Sequence, residues 1–150
     1  MKGKILVALQ FLLLAALALF PGAKERPKPF VSLAFVLLVL GVALLLKSFR
    51  DLGQALTPLP ESKEGAQLVT TGIYEYLRHP IYSSIILIAS GVVFWKWSSG
   101  SLLIALALLI LLIYKSRYED KLLRAKFGSA SEYQKNTGAF FPSIKRGNRK

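Results

Sequence analysis

Apolar residues in this chain gather into four blocks, and the polar residues between them are short or sharply defined. The first block runs from Ile5 to Phe20, apolar except for Gln10, with Lys2 and Lys4 in front and Pro21-Gly22 behind. The second, Phe30 to Leu46, ends at Lys47, Arg50 and Asp51. The third follows Pro80 and reaches about Trp95, and the fourth covers Leu102 to Tyr114. Runs of this kind predict helical spans at about 5–20, 30–46, 80–97 and 100–116, in an all-α integral membrane protein of about four transmembrane helices. The last two runs are short against the roughly 20 residues that a bilayer asks for. They cross if flanking residues extend them and Trp95, Trp97 and Tyr114 sit at the interfaces; a re-entrant hairpin is the alternative. The first run also has the basic start, apolar centre and Ala16-Leu17-Ala18 triplet of a signal peptide. A second span follows at once, which favours a first transmembrane helix.

The polar segments differ in kind. Ala23 to Pro29 is a short turn with two prolines. Leu52 to His79 carries Pro58, Pro60, Glu61, Lys63, Glu64, Gly65 and Gly72, a structured-loop composition in which prolines set the backbone and glycines permit positive φ. Pro80 suits the first turn of a helix, so a helix is expected to start there. After the fourth block the helix is expected to continue as an amphipathic segment until Gly128 stops it. The tail to residue 150 is expected to end in a frayed, basic stretch. One domain, 1–150, accommodates all of this.

Composition narrows the classes. Hydrophobic residues make up 53% of the chain and mean hydropathy is +0.47. The net charge of +12 sits beside the apolar blocks, which points to anionic headgroups and not to nucleic acid. With no cysteine and one histidine, thiol chemistry and a His-rich metal site are excluded. With four spans, the amino end, loop 47–79 and the tail share a side that holds sixteen of the 20 Lys and Arg residues, which predicts that loop and tail are cytoplasmic. The short chain suggests a prokaryotic inner or plasma membrane.

Two polar patches remain at the predicted cytoplasmic ends of the last hairpin. One is Tyr74, Arg78, His79 and Tyr82; the other is Lys115, Arg117, Glu119 and Asp120. Taken singly, the basic residues are ordinary interfacial anchors and His79 a helix-start residue. The acidic pair is harder to dismiss, because carboxylates just past an apolar span need a positive partner, from the protein or from a cationic ligand. Ser83-Ser84 lacks the partners of a nucleophile, and Gly65 and Gly72 form no phosphate-binding pattern.

The stretch LVTTGIYEYLRHPIY, Leu68 to Tyr82, resembles the signature of the isoprenylcysteine carboxyl methyltransferase and phospholipid methyltransferase superfamily of membrane enzymes. That pattern runs roughly L-V-T-x-G-x-Y-x-x-x-R-H-P-x-Y, a hydrophobic hairpin, an acidic pair, F-G and an aromatic-Pro. Here Glu119-Asp120, Phe127-Gly128 and Phe140-Phe141-Pro142 follow in that order, so the resemblance covers about Thr57 to Pro142. It implies methyl transfer from S-adenosyl-L-methionine, held in a site formed by a cytoplasmic cofactor loop at 57–82 and the C-terminal amphipathic helix and tail at 115–150. Carried over, the cofactor contacts are Gln67, Leu68, Val69, Tyr74, His79, Pro80, Ile81, Tyr82 and Glu119. A basic residue one turn before the acids faces the substrate; it is Arg in animal isoprenylcysteine enzymes, and here it is Lys115, with Arg117 as the other candidate. The second acid is Asp120 in place of Glu, and the tail spacing differs by about a residue. These departures bear on the acceptor.

The expected reaction is methylation of a lipidic or isoprenylated small molecule at the cytoplasmic face, with carboxylate O-methylation favoured. Membrane lipids are the expected partners, with no nucleic acid and no metal. A sulfonium cofactor suits Glu119 and the faces of Tyr74 or Tyr82, and a basic residue at 115 or 117 would orient a carboxylate. An amine acceptor would need a base, and His79 or an acid is the candidate; His79 reads better as a cofactor contact. Two alternatives stand beside this. Membrane sterol reductases carry a similar motif and use NADPH, but read H-P-N-Y where this chain has Ile81. A non-catalytic scaffold of the same fold is the other, disfavoured by intact Arg78, His79, Pro80 and Glu119.

Overall fold

The computed structural model describes residues 2–53 and 67–143. Five α-helices follow in order: α1 (Lys2–Leu19), α2 (Lys28–Leu52), α3 (Pro80–Lys96), α4 (Ser99–Lys126) and α5 (Ala130–Asn136), with a short 3-10 turn at Gly72–Glu75 before α3. No strand is present among the described residues; the only ladder-like feature there is an isolated parallel bridge between Leu77 and Gly138. Helices α1, α2 and α4 are long and apolar enough to cross a membrane, and α3 is a shorter apolar helix of 17 residues. The cofactor-loop positions 57–66 and the tail from 144 onward lie outside the described residues.

Local chemistry accounts for the boundaries. Proline stands in the first two positions of both α2 and α3, where its missing N–H costs nothing. Helix α3 ends on Trp97, the one described non-glycine residue in the left-handed region (φ 48°), and its N–H returns to the carbonyl of Val93 at 2.8 Å. Two residues then suffice to reverse the chain into α4, so α3 and α4 form a tight antiparallel hairpin. The 28 residues of α4 rise about 42 Å, longer than the roughly 30 Å hydrocarbon core, so its charged last turns stand clear of the apolar layer.

The helix end was expected at Gly128. It falls at Lys126 instead: Phe127 is extended (φ −122°, ψ 121°) and Gly128 has no positive φ, so no left-handed glycine cap forms. The basic end expected to fray lies outside the described residues; up to residue 143 the tail folds back on the chain. Ala130–Asn136 forms α5, and the residues after it lie against the segment before α3.

Packing has two centres. Leu17 of α1, Tyr82, Ile85 and Ala89 of α3, and Leu108 and Leu112 of α4 form one buried cluster. Helix α2 lies along α3 at very short range, because Gly41 and Gly91 present backbone to the partner helix. A β-carbon at Gly41 would stand 2.6 Å from Ile88 Cγ1 and 3.0 Å from the Ile88 backbone nitrogen. At the hairpin-turn end, Phe30 stacks on Trp97 (4.2 Å) and on Phe94 (5.7 Å), and Arg26 lies over Trp95 at 5.3 Å. Lys96 there donates to the carbonyls of Ala18 and Phe20, which closes the carboxyl end of α1. Leu12, Phe35, Leu46, Leu103 and Ile110 point outward, more than half exposed, as side chains facing lipid do.

The α2–α3 approach sets a prediction. Gly41→Ala forces backbone apart and costs about 1–3 kcal/mol, read as a lowered Tm of the detergent-purified protein. Gly128→Ala, where an added carbon meets nothing within 4 Å, leaves Tm unchanged.

Candidate active site

The site forms where the start of α3 meets the last turns of α4. Upstream, the chain is pinned to α2. Asp51 Oδ2 accepts the N–H of Ile73 at 2.7 Å and pairs with Lys47 at 3.1 Å. Gly72 makes this possible: its φ is +63°, and a side chain there would collide with the Asp51 carboxylate. The 3-10 turn then buries Tyr74, whose carbonyl accepts the Tyr133 hydroxyl at 2.6 Å.

From Leu77 to His79 the chain is held by the tail. The N–H groups of Arg78 and His79 donate to the carbonyls of Gly138 (2.8 Å) and Ala139 (3.1 Å), and Ser83 Oγ donates to the Phe140 carbonyl (2.9 Å). Residues 137–143 thus form a strap over the amino end of α3. Helix α5 secures that strap to α4: Gln134 Nε2 donates to the Asp120 carbonyl (3.0 Å), while Gln134 Oε1 accepts from Arg124 (2.7 Å).

At the centre is His79, 6% exposed. Its Nδ1 lies 3.3 Å from Glu119 Oε2 and its Nε2 lies 3.0 Å from Asp120 Oδ1. Asp120 Oδ2 in turn lies 3.4 Å from Arg78 Nη1. An imidazolium, with a donor on each nitrogen, satisfies both carboxylates, and Arg78 completes a group of two cations and two anions. Burial is the largest single influence on His79 and works against its charge, but hydrogen bonds to Asp120 and Glu119 outweigh it and hold its pKa above the ordinary 6.5. Burial likewise pushes the Tyr133 phenol up to about 12, with Arg78 opposing the rise. The Tyr82 ring stacks on His79 at 5.4 Å, nearly parallel.

One turn inward along α4, Lys115 is 3% exposed. Its Nζ donates to Gln10 Oε1 of α1 at 2.7 Å and lies 5.1 Å from the centre of the Tyr82 ring. Helical periodicity separates the two basic candidates. Residues 115 and 119 share a face four positions apart, whereas Arg117 is turned outward and exposed.

The predicted site residues therefore divide. Tyr74, His79, Pro80 and Tyr82 are buried, Ile81 is half-buried against the core, and Glu119 lies against His79. None of the contacts that build the cluster comes from Gln67, Leu68 or Val69; Gln67 is exposed and the other two half-buried in the coil before the turn. Sequence reasoning did not single out Gln10, Asp51, Tyr133 or Gln134. Gln10 did carry a signal, as the one polar residue inside an apolar run.

Carboxylates beside aromatic faces match a sulfonium and an ammonium in chemistry. Arg78 Nε is buried with no hydrogen-bond partner, a donor suited to a carboxylate-bearing ligand. Among the described residues no group of three or more His, Asp or Glu is placed to hold a metal ion. The arrangement is that of a membrane-embedded helical site with a charged layer at its mouth and a buried lysine beneath.

Comparison with known proteins agrees with this architecture. Residues 30–130 match the model of the phospholipid methyltransferase family. The chain belongs to that family, and with it to the wider superfamily of isoprenylcysteine carboxyl and phospholipid methyltransferases of membranes. It is also similar to the nickel-cobalt-cadmium resistance protein NccN of Alcaligenes xylosoxydans xylosoxydans, 36% identical over 86 residues. The match covers 55% of this chain and only 39% of that relative's length.

The charge group sets a pH dependence. Because His79 has its pKa raised on folding, its contribution is complete below about 6.5 and is lost as pH rises through the higher folded-state value. The Tm difference between wild type and His79→Phe is therefore expected to shrink as pH rises above about 6.5. Asp120→Ala, which strips a partner from both Arg78 and His79, is expected to cost roughly 3–5 kcal/mol at pH 6. Calorimetric or fluorescence melting checks both.

Proposed function

We propose that this protein is an S-adenosyl-L-methionine-dependent methyltransferase that methylates the carboxylate of a lipidic or isoprenylated acceptor at the cytoplasmic face of a prokaryotic membrane. The single observation that carries the reading is the stacking of two layers on one face of α4. Glu119 and Asp120 with His79 form the upper layer, and Lys115 over Tyr82 forms the lower. Methyltransferases of this family generally use S-adenosylmethionine.

When bound, S-adenosylmethionine supplies an electrophilic methyl group on a sulfonium centre. Glu119, the Tyr74 and Tyr82 rings and the backbone from Gln67 to Val69 are the groups to hold it, with the Arg78 Nε donor available to its carboxylate. His79 fixes the angle of Glu119 and Asp120 and does not need to move a proton, because a carboxylate acceptor is already a nucleophile. Lys115 draws the acceptor's negative charge to one place and orients its oxygen. The protein's share of the acceleration is then alignment and the exclusion of water, both suited to a site roofed by the 137–143 strap. A largely apolar, half-open groove of about 160 Å³ between α3 and α4, lined by residues such as Ile86, Ala89, Ala105 and Leu108, is compatible with a hydrocarbon tail in the acceptor. Ile86 lies one turn from Tyr82, and Leu108 lies two turns from Lys115 on its buried face.

The distribution of Lys and Arg supports the cytoplasmic placement of the mouth. The name of the curated relative concerns metal resistance of that protein; here both nitrogens of the single histidine face carboxylates, which favours cofactor-holding over metal-holding chemistry.

Isothermal titration of the detergent-purified protein with S-adenosylhomocysteine, and separately with NADPH, tests the reading. Binding of the first alone is expected, and binding of NADPH alone overturns it. Glu119→Ala is expected to abolish that binding. Lys115→Ala is expected to keep it and to raise the acceptor KM by roughly tenfold or more, the worth of one hydrogen bond to a charged group. Exposed Arg117→Ala leaves both nearly unchanged.

A further inference from the structure

Helix α1 lies wholly outside the stretch that matches the family model, yet it supplies the partner of the buried lysine. A lysine near the end of a membrane helix ordinarily extends its stem and carries its ammonium to the headgroups. Lys115 does the opposite. Its Nζ turns inward to Gln10 Oε1 at 2.7 Å, where both residues are less than a tenth exposed. Gln10 is itself held in place by packing. The buried residues of α1 are Gly3, Leu6, Gln10 and Leu17, a stripe on one helical face, and Leu17 is locked into the cluster that contains Tyr82, Leu108 and Leu112. A primary amide in an otherwise apolar helix is costly to bury without a partner, and Lys115 is that partner.

We infer that Gln10 is a positioning residue that fixes the depth of the Lys115 ammonium one turn below the Glu119–Asp120 layer, and that α1 thereby selects acceptors carrying an acidic headgroup on a hydrocarbon tail. The amide oxygen orients the ammonium as a neutral acceptor. Without it, the four-carbon stem carries the charge up toward the carboxylates, and the lower layer loses its attraction for an anion. Replacing the amide by a carboxylate has a different consequence: Lys115 stays down, but its charge is cancelled. The acceptor part of this inference rests on the methyltransferase reading; the placement of Lys115 does not.

The two substitutions separate tethering from acceptor selection. Detergent-purified wild type, Gln10→Leu and Gln10→Glu are treated with a water-soluble amine-acylating reagent, and modification at Lys115 is read by peptide mass spectrometry. In parallel, native mass spectrometry compares adducts with oleic acid and with oleyl alcohol, and calorimetry follows S-adenosylhomocysteine. Lys115 is expected to be protected in wild type and in Gln10→Glu, and modified at least about tenfold faster in Gln10→Leu. Oleate is expected to bind wild type about tenfold better than the alcohol, and both variants are expected to lose that preference. S-adenosylhomocysteine binding is expected to stay within about twofold in Gln10→Glu, and to weaken in Gln10→Leu, where the risen ammonium competes for Glu119. Equal protection of Lys115 in Gln10→Leu overturns the positioning role. Retention of the oleate preference in Gln10→Glu overturns the acceptor selection, because a mere structural tether would tolerate that change. Failure of wild type to bind S-adenosylhomocysteine, with the labelling pattern as expected, removes the methyltransferase reading and leaves the placement of Lys115 standing.

Discussion

Two cations at the start of α3 and two anions near the end of α4 meet where little water reaches them, and the rest of the structure is arranged so that they do. Charges withdrawn from water are costly singly and tolerable as a balanced, hydrogen-bonded group. That constraint fixes the register of the hairpin. His79 lies 18 residues before Trp97 and Glu119 lies 21 after Ser98, rises of about 27 and 32 Å along two antiparallel helices joined by a two-residue turn. A longer turn would loosen that match, and Trp97 avoids one by taking up a left-handed backbone. The aromatic and Lys96 contacts at the far end serve the same purpose, since they hold the turn against α1 and α2.

The same group explains why the tail returns. Arg78 and His79 precede α3, so their backbone N–H groups have no helical partner at the place where their side chains are engaged. Gly138 and Ala139 supply the carbonyls, and Gln134 binds the backbone of Asp120 itself. Residues from both sides of the hairpin and from the tail are thereby tied to one acidic residue. The strap is short and irregular because its task is to cap exposed backbone donors.

How much of this was readable in the sequence follows from the range of each interaction. The apolar runs announce α1 to α4, because lipid demands continuous helices and little else competes. Arg78, His79, Tyr82 and Glu119 stood out because they are polar residues at the ends of such runs. The exact helix end did not: Gly128 looked like a stop, but the backbone turns extended at Phe127 first. Helix α5 and the strap were missed because SASEYQKNTGAF has neither an apolar period nor a motif of its own; its order comes from Asp120, Arg78 and Tyr74, some ten to sixty residues away. Asp51 was visible only as the end of a span, since nothing local says that its carboxylate receives Ile73 across a loop. That Lys115 is buried and Arg117 exposed follows from the helical phase of α4, which the buried Leu108 and Leu112 set once the hairpin exists.

A second layer beneath the charged one is what separates this arrangement from a mere ion-pair latch. The Arg78–His79–Glu119–Asp120 group joins α3 to α4, and Leu108 and Leu112 make the buried face of α4 below it apolar, a pattern that an apolar residue at 115 would continue. Instead a lysine is buried there, and a second helix spends its only interior polar residue on it. A charge buried among apolar side chains must be offset by polar partners, and Gln10 and the face of Tyr82 are among those of Lys115. The step along α4 from Lys115 to Glu119 is four residues, about 6 Å, so two polar layers share one face without merging. The upper layer lies where α4 leaves its apolar run, and the lower one lies among the buried residues that α1, α3 and α4 share. In a chain of 150 residues the bilayer then supplies the dry walls that a soluble enzyme must build from its own side chains.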